Sequence, residues 1–208
     1  LNSAYGAIGN QYFRYFKLAN AEAITLSGQV SIRWIENRMN RKLNKILNTE
    51  DVDYVIASDT DSIYLNLGPF IDAVFKGREK NAEGVVDFLD KVCEVEFEKY
   101  ISDSYQALAN YVNAYDQKMF MKRETIANKG IWTAKKRYIL NVHNNEGIQY
   151  KEPKLKIMGI EAIKSSTPEV VRDKFKKAFN LIISGSQQET QKFIPVSYTH
   201  LTLPTKLA

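Results

Sequence analysis

The sequence predicts an α+β fold, an antiparallel sheet with helices packed on one face. Three observations carry this. Apolar residues recur every three or four positions between residues 21 and 47, the spacing of a helix with one buried stripe. After Lys118 the period shortens to two, as in a strand. Between these regions, two short runs rich in β-branched and aromatic residues, 53–57 and 63–67, flank Ser58-Asp59-Thr60-Asp61-Ser62 and read as a hairpin. Strands arriving before and after helices, without regular alternation, point to α+β.

The elements follow in order. Asn2 and Tyr5 stand three residues apart and share a helix face. Gly6 and Gly9 are expected to end or bend that helix. Tyr12, Phe13, Tyr15 and Phe16 form an aromatic cluster expected to give at least two residues to the core. Asn20 stands where it would cap a helix over residues 21–47, with Glu22 in its first turn. Ile24, Gly28, Ile32, Ile35, Met39, Leu43 and Ile46 make that helix's stripe. Beyond the hairpin, helices are expected over 82–101, with Val85, Leu89 and Val92 inward, and over 103–112, with Leu108 and Val112 inward. Residues 119–126 alternate as a strand, and Lys129-Gly130 reads as a turn. Residues 131–134 and 137–142 read as strands about Lys135-Lys136. Asn144 to Gly147 is a hairpin turn, with 148–150 returning. Thr167-Pro168 opens a last helix, which Gly185 closes. Residues 195–208 carry no acid and no helical period; the string resembles a translated sequencing adapter and is set apart from the fold as a non-native tail.

Composition narrows the class. The 208 residues are 44% apolar with a net charge of +5, enough for one sizeable core and modestly suited to a polyanion partner. The charge is unevenly spread. Residues 82–103 hold seven acids against two lysines, and residues 118–164 hold eleven Lys/Arg against four glutamates. The acidic stretch reads as a solvated helix face. Cys93 is the only cysteine, which excludes an internal disulfide, suits a reducing compartment and reads as a small core residue. No apolar run is long enough to span a bilayer.

Asp59 and Asp61 place two carboxylates at the tip of the hairpin. On extended backbone, residues i and i+2 share a face about 6–7 Å apart. Carboxylates held together repel in water and become useful around a divalent cation, since Mg²⁺ prefers hard oxygen ligands and completes its shell with phosphate oxygens and water.

Four segments in this order resemble the C-terminal half of the polymerase core of a family B DNA polymerase of the tailed-phage branch: Asn2-Ser3-Ala4-Tyr5-Gly6; Asp59-Thr60-Asp61-Ser62; Lys135-Lys136-Arg137-Tyr138; and Lys154 through Gly159-Ile-Glu161 to Lys164-Ser-Ser-Thr-Pro168. The resemblance covers residues 1–194. It implies the end of the fingers at 1–18, the palm at 19–150 and the start of an α-helical thumb at 151–194. It further implies that Asp61 bridges two Mg²⁺ ions, that Asp59 lies beside it, and that Glu124 faces the same site. Alternation places Lys122 beside Glu124 as an alternative salt-bridge partner. Asn2, Tyr5, Gly6 and Thr60 would serve the incoming dNTP. Lys135, Lys136, Arg137, Tyr138, Lys154, Lys156 and Lys164 would meet primer-template DNA. A sliding clamp would engage through parts beyond this stretch, and the setting would be the cytoplasm of a phage-infected bacterium, without a membrane.

The chain departs from the family pattern in several places. A further carboxylate motif and a triphosphate-binding lysine lie upstream in the pattern and are not in this chain, so the chain is expected to be a fragment that does not polymerise by itself. Ala57-Ser58 stands in place of an aromatic–glycine pair. Two other functions compete: a glycosyltransferase using Asp-x-Asp to hold a metal–sugar-nucleotide, and a non-catalytic nucleic-acid-binding module. The first leaves the basic motif without a role, and the second leaves the acidic hairpin without one.

Overall fold

A computed structural model describes residues 2–77 and 81–193, without the side chains of Asn2 and Ser3. The expectation for residues 195–208 lies outside the described residues. The chain divides into two compact units, Leu1–Arg123 and Glu124–Ala208.

The first unit runs α1 (Asn2–Ile8), α2 (Leu18–Leu47), β1 (Val55–Asp59), β2 (Ser62–Leu65), α3 (Gly68–Val74), α4 (Ala82–Val92) and α5 (Glu98–Tyr111). Ile35, Met39 and Leu43 of α2 are wholly buried and cluster with Phe97, Ile101, Tyr105 and Leu108, and with Tyr54 and Val55 at the start of the hairpin. The C-terminal half of the expected stripe is therefore the core, while Ile24 and Ile46 at its ends are exposed. The helix starts earlier than its sequence signals. It begins at Leu18, with Lys17 at the cap and no side-chain bond there, so Asn20 lies inside the helix instead of capping it. Gly6 does not end α1 but sits within it.

The aromatic cluster also departs from expectation: Tyr12, Phe13, Tyr15 and Phe16 are all exposed, Tyr12 at 88%. Aromatic content marks a surface that can be buried, but burial needs a facing apolar surface, and the described residues bring none against these four.

The break expected between 101 and 103 is absent. α4 and α5 form one helical run joined by a π-turn at Cys93–Phe97, in which the Glu98 N–H donates to the Cys93 carbonyl. The buried positions Leu89, Cys93, Phe97, Ile101 and Tyr105 step by four. Each step of four overshoots a full α-helical turn by about 40°. The wider π-turn takes up part of that drift and keeps the stripe on α2. Val86, not Val85, joins Leu89 inside.

The second unit is a meander, β3 (Thr125–Ala134), β4 (Arg137–Asn145) and β5 (Ile148–Met158), followed by a 3₁₀ turn at Glu161–Ile163 and α6 (Glu169–Ser184). All its pairings are antiparallel, in the order β3-β4-β5. The described residues thus form two antiparallel sheets, one of two strands and one of three. The mixed helix and sheet content agrees with α+β. Here a helix does cover one sheet face: Ile183 of α6 packs on Ile139 and Ile157.

Two strand limits differ from the sequence reading. Residues 119–124 are irregular, and pairing starts at Thr125. Lys129-Gly130 is not a turn but lies inside β3, opposite Asn141 and Leu140. A Cβ on Gly130 would lie 2.7 Å from Leu140 Cδ2 and 2.8 Å from the Trp132 ring. That glycine answers a close approach, not a chain reversal. The β4–β5 loop is as expected: Glu146 and Gly147 both take positive φ, 51° and 85°, as a tight two-residue hairpin requires.

Candidate functional site

The acidic hairpin sits on the first unit's core. Asp59 pairs with Ser62 across β1 and β2, leaving Thr60-Asp61 as a two-residue loop. Thr60 has φ 55°, an unusual conformation for a β-branched residue. Three bonds close the loop. The Asp61 N–H donates to the Asp59 carbonyl at 2.6 Å, the Ser62 hydroxyl donates to the same carbonyl at 3.1 Å, and the Thr60 hydroxyl donates to Asp59 Oδ1 at 3.0 Å. Asp59 is thereby tied in place and half-buried, while Asp61 is exposed at the apex. Tyr105 of α5 shares the core cluster of Tyr54 and Val55, and its hydroxyl pKa is raised first by burial and then by the charge of Asp61.

Two asparagines that sequence reasoning passed over hold this hairpin. Asn40 Oδ1 accepts from the Tyr54 and Val55 N–H groups at 2.8 and 3.1 Å, and its Nδ2 donates to Asp53 at 2.8 Å. Asn44, one turn on, accepts from the Val52 N–H at 3.1 Å and the Thr49 hydroxyl at 2.8 Å, and donates to the Val52 carbonyl at 2.8 Å. The link from α2 to β1 is thus pinned to the helix that carries the core. The available signal was two amides at i and i+4, each next to a buried residue of the stripe, Met39 and Leu43.

The donor set suits a hard cation. Among the described residues no three His, Cys, Asp or Glu side chains gather as a metal site. A divalent ion at this tip would therefore take one or two carboxylate oxygens here and complete its shell with water or phosphate oxygens, the habit of Mg²⁺.

In α1, Tyr5 is half-exposed and its hydroxyl accepts from Thr25 at 3.2 Å. A Cβ on Gly6 would meet nothing within 4 Å, so intrachain packing does not explain that glycine. The side chain of Asn2 is outside the described residues.

In the second unit, the basic motif is the β3–β4 loop. Ala134 pairs with Arg137, and Lys135-Lys136 turn between them, with Lys136 at φ 62°. Both lysines are exposed, and the Tyr138 ring lies tilted beside Trp132, with centroids 6.3 Å apart. The segment after β5 folds back onto this loop. Gly159, at φ 67°, comes so close that a Cβ would lie 2.0 Å from the Lys136 carbonyl oxygen. Glu161 then meets both Arg137 and Lys164, each at 3.2 Å from the same carboxylate oxygen. Its own backbone N–H, the Lys164 ammonium and the field of Arg137 hold the Glu161 carboxyl below the usual range. The two motifs that the sequence separates by about twenty residues are one surface. Glu161 and Gly159, which join them, stood in the fourth motif but had been given no role of their own.

Lys154 and Lys156 lie on one face of β5, paired with Val142 and Leu140. Lys154 stands 4.3 Å over the Tyr150 ring. Lys156 forms an ion pair with Glu124 and reaches the Thr125 hydroxyl at 3.3 Å. Alternation had offered Lys122 to Glu124; the observed partner is Lys156, brought from a strand that sequence spacing does not reveal. Glu124, Tyr150, Lys154 and Lys156 line a shallow cleft of about 350 Å³.

No protein-family profile matches the chain. Two curated proteins are similar to it. The chain is 43% identical over 195 residues to a DNA-directed DNA polymerase of Escherichia phage RB69, and 39% identical over 201 residues to one of Enterobacteria phage T4. The matches cover 90% and 93% of this chain and 22% of each relative, so the chain spans about a fifth of the length of the relatives it matches. Across nine-tenths of its own length, then, the chain is homologous to a stretch of phage DNA-directed DNA polymerases, which bears out the resemblance carried by its four motifs.

Proposed function

We propose that this chain supplies the end of the fingers, the palm and the start of the thumb of a family B replicative DNA polymerase that adds dNTPs to a primer 3′ end. The observation that carries the reading is the acidic hairpin: Asp59 tied by the Thr60 hydroxyl and Asp61 exposed at the apex, in a chain homologous to phage polymerases. Bound there, two Mg²⁺ ions would supply a lowered pKa for the attacking hydroxyl and charge stabilisation for the triphosphate. Asp61 holds ligand oxygens out toward the reactants, and Asp59 adds negative field beside it. In the second unit, Glu124 is a carboxylate held by Lys156. Tyr5 and Gly6, with Asn2, present a flat face and bare backbone to the new base pair, which senses shape and not sequence. Lys135, Lys136, Arg137 and Tyr138, with Lys154, Lys156 and Lys164, engage primer-template phosphates and sugars, which position a duplex without reading its sequence. Primer-template DNA and dNTPs are the partners. A sliding clamp would act through regions outside this chain, and the work would be done in the cytoplasm of an infected bacterium.

The test is a chimera in which residues 1–193 replace the homologous stretch of the phage RB69 enzyme. The chimera is expected to extend a primer, and Asp61→Asn to reduce extension by more than the ~100-fold typical of losing an outer-shell partner of a metal, with DNA affinity retained. Retained extension by the Asp61→Asn chimera would sink the proposal. The isolated 208-residue chain is expected not to extend a primer.

A further inference from the structure

The segment after β5 and the β3–β4 loop meet around one carboxylate, and this meeting has a consequence for DNA binding. Arg137 and Lys164 are cations from different segments that converge on Glu161 Oε1, each at 3.2 Å. Without a carboxylate between them they would repel. All three side chains are about half-exposed, so the cluster remains open to a phosphate. The pairs also leave donors unused. A guanidinium has five N–H donors and an ammonium three, and Glu161 engages one nitrogen of each. Gly159 fixes the approach from below, since its φ of 67° and the 2.0 Å that a Cβ would leave to Lys136 O admit no side chain. The Thr167 hydroxyl donates to the Glu161 carbonyl at 2.7 Å and holds the same residue from the other side.

We propose that Glu161 is a positioning residue for nucleic-acid binding: it gathers Arg137 and Lys164 into a preformed pair that receives backbone phosphate. This rests on the reading of the basic loop as a DNA-binding surface. The competing view, that Glu161 is merely a negative charge near DNA, predicts an effect of opposite sign. Removing an acid from a polyanion-binding face raises net positive charge and tightens binding. Removing a positioning acid lets the two cations separate and weakens binding, despite the added positive charge. The loss is modest because exposed ion pairs order side chains only weakly, and about threefold is expected.

The experiment measures affinity of the full 208-residue chain for a fluorescent duplex with a recessed 3′ end, at several salt concentrations. Glu161→Ala and Glu161→Gln are made in the unaltered chain and in an Arg137→Ala/Lys164→Ala background, with thermal melts to check folding. Weaker binding in the unaltered chain, together with no weakening in the doubly substituted background, is the expected result. Tighter binding, or equal weakening in both backgrounds, overturns the positioning role. If Arg137→Ala weakens binding while Glu161→Ala tightens it, the positioning role fails and the DNA-binding surface stands. If Arg137→Ala and Lys164→Ala leave affinity and salt slope unchanged, the reading of the surface fails and the positioning role falls with it.

Discussion

Gly159 shows how much one residue can decide. Its positive φ and its contact with the Lys136 carbonyl exclude any Cβ. Gly159→Ala is expected to cost the second unit about 1–3 kcal/mol, through strain and forced separation of the two segments, seen as a lowered melting temperature. Gly6→Ala offers a control, since its Cβ would enter open space and alanine favours a helix; it should leave stability unchanged or raised. Cys93 makes the opposite case, a residue whose chemistry is suppressed. Burial pushes its thiol up from 9.0 to about 11, with Arg123 opposing and Asp90 and Glu98 adding. The folded thiol therefore keeps its proton where the unfolded one has lost it. Stability linked to Cys93 is complete below pH 9 and falls as pH rises toward 11. A thiol reagent at pH 8 should label the native chain slowly and the denatured chain at once; equal rates would contradict its burial.

At the scale of elements, the long helix does two jobs, and only one was legible. The period of Ile35, Met39 and Leu43 announces a buried stripe, and those three residues are the centre of the core. Asn40 and Asn44 lie beside that stripe and pin the launch of β1. A polar residue on a helix gives no hint of which backbone it will satisfy. Asn40→Ala leaves the N–H of buried Tyr54 without its acceptor and should destabilise the first unit by about 1–3 kcal/mol. A loss below a few tenths would show that the pin is dispensable. The hairpin was legible because β-type runs flank a polar turn on both sides. The helix start was not, since Asn20 offers a cap that tertiary packing does not use. Nor was the Glu124–Lys156 pair, whose members stand 32 residues apart and meet only once β3, β4 and β5 register.

Over the whole molecule, the chain divides at Arg123; the acid-rich window 82–103 lies before the division and the cation-rich window 118–164 spans it, and neither had been read as a boundary. The Arg123 N–H donates to Glu98 at 2.9 Å and its guanidinium pairs with Asp90, so the first unit holds its own last residue. Tyr115 and Phe120 just before it are exposed, at 106% and 79%. Brief chymotrypsin treatment should therefore cut in the exposed, irregular stretches, between residues 115 and 120 and at the aromatics of 12–16; initial cuts inside α2 or β4 would contradict the two-unit organisation. The exposed aromatics at 12–16 mark where sequence reading runs out. It identifies surface that can be buried, but not whether a partner surface is present.

The central claim is that the apex at residues 59–61 takes divalent metal. Its most direct measurement is paramagnetic broadening by Mn²⁺ of backbone amide signals, in the presence of a dNTP. The account predicts that signals of residues 59–62 broaden first, and that Asp59→Asn/Asp61→Asn abolishes the effect. Broadening confined to the acidic helix face around Glu94 and Glu96, with residues 59–62 untouched, would contradict it.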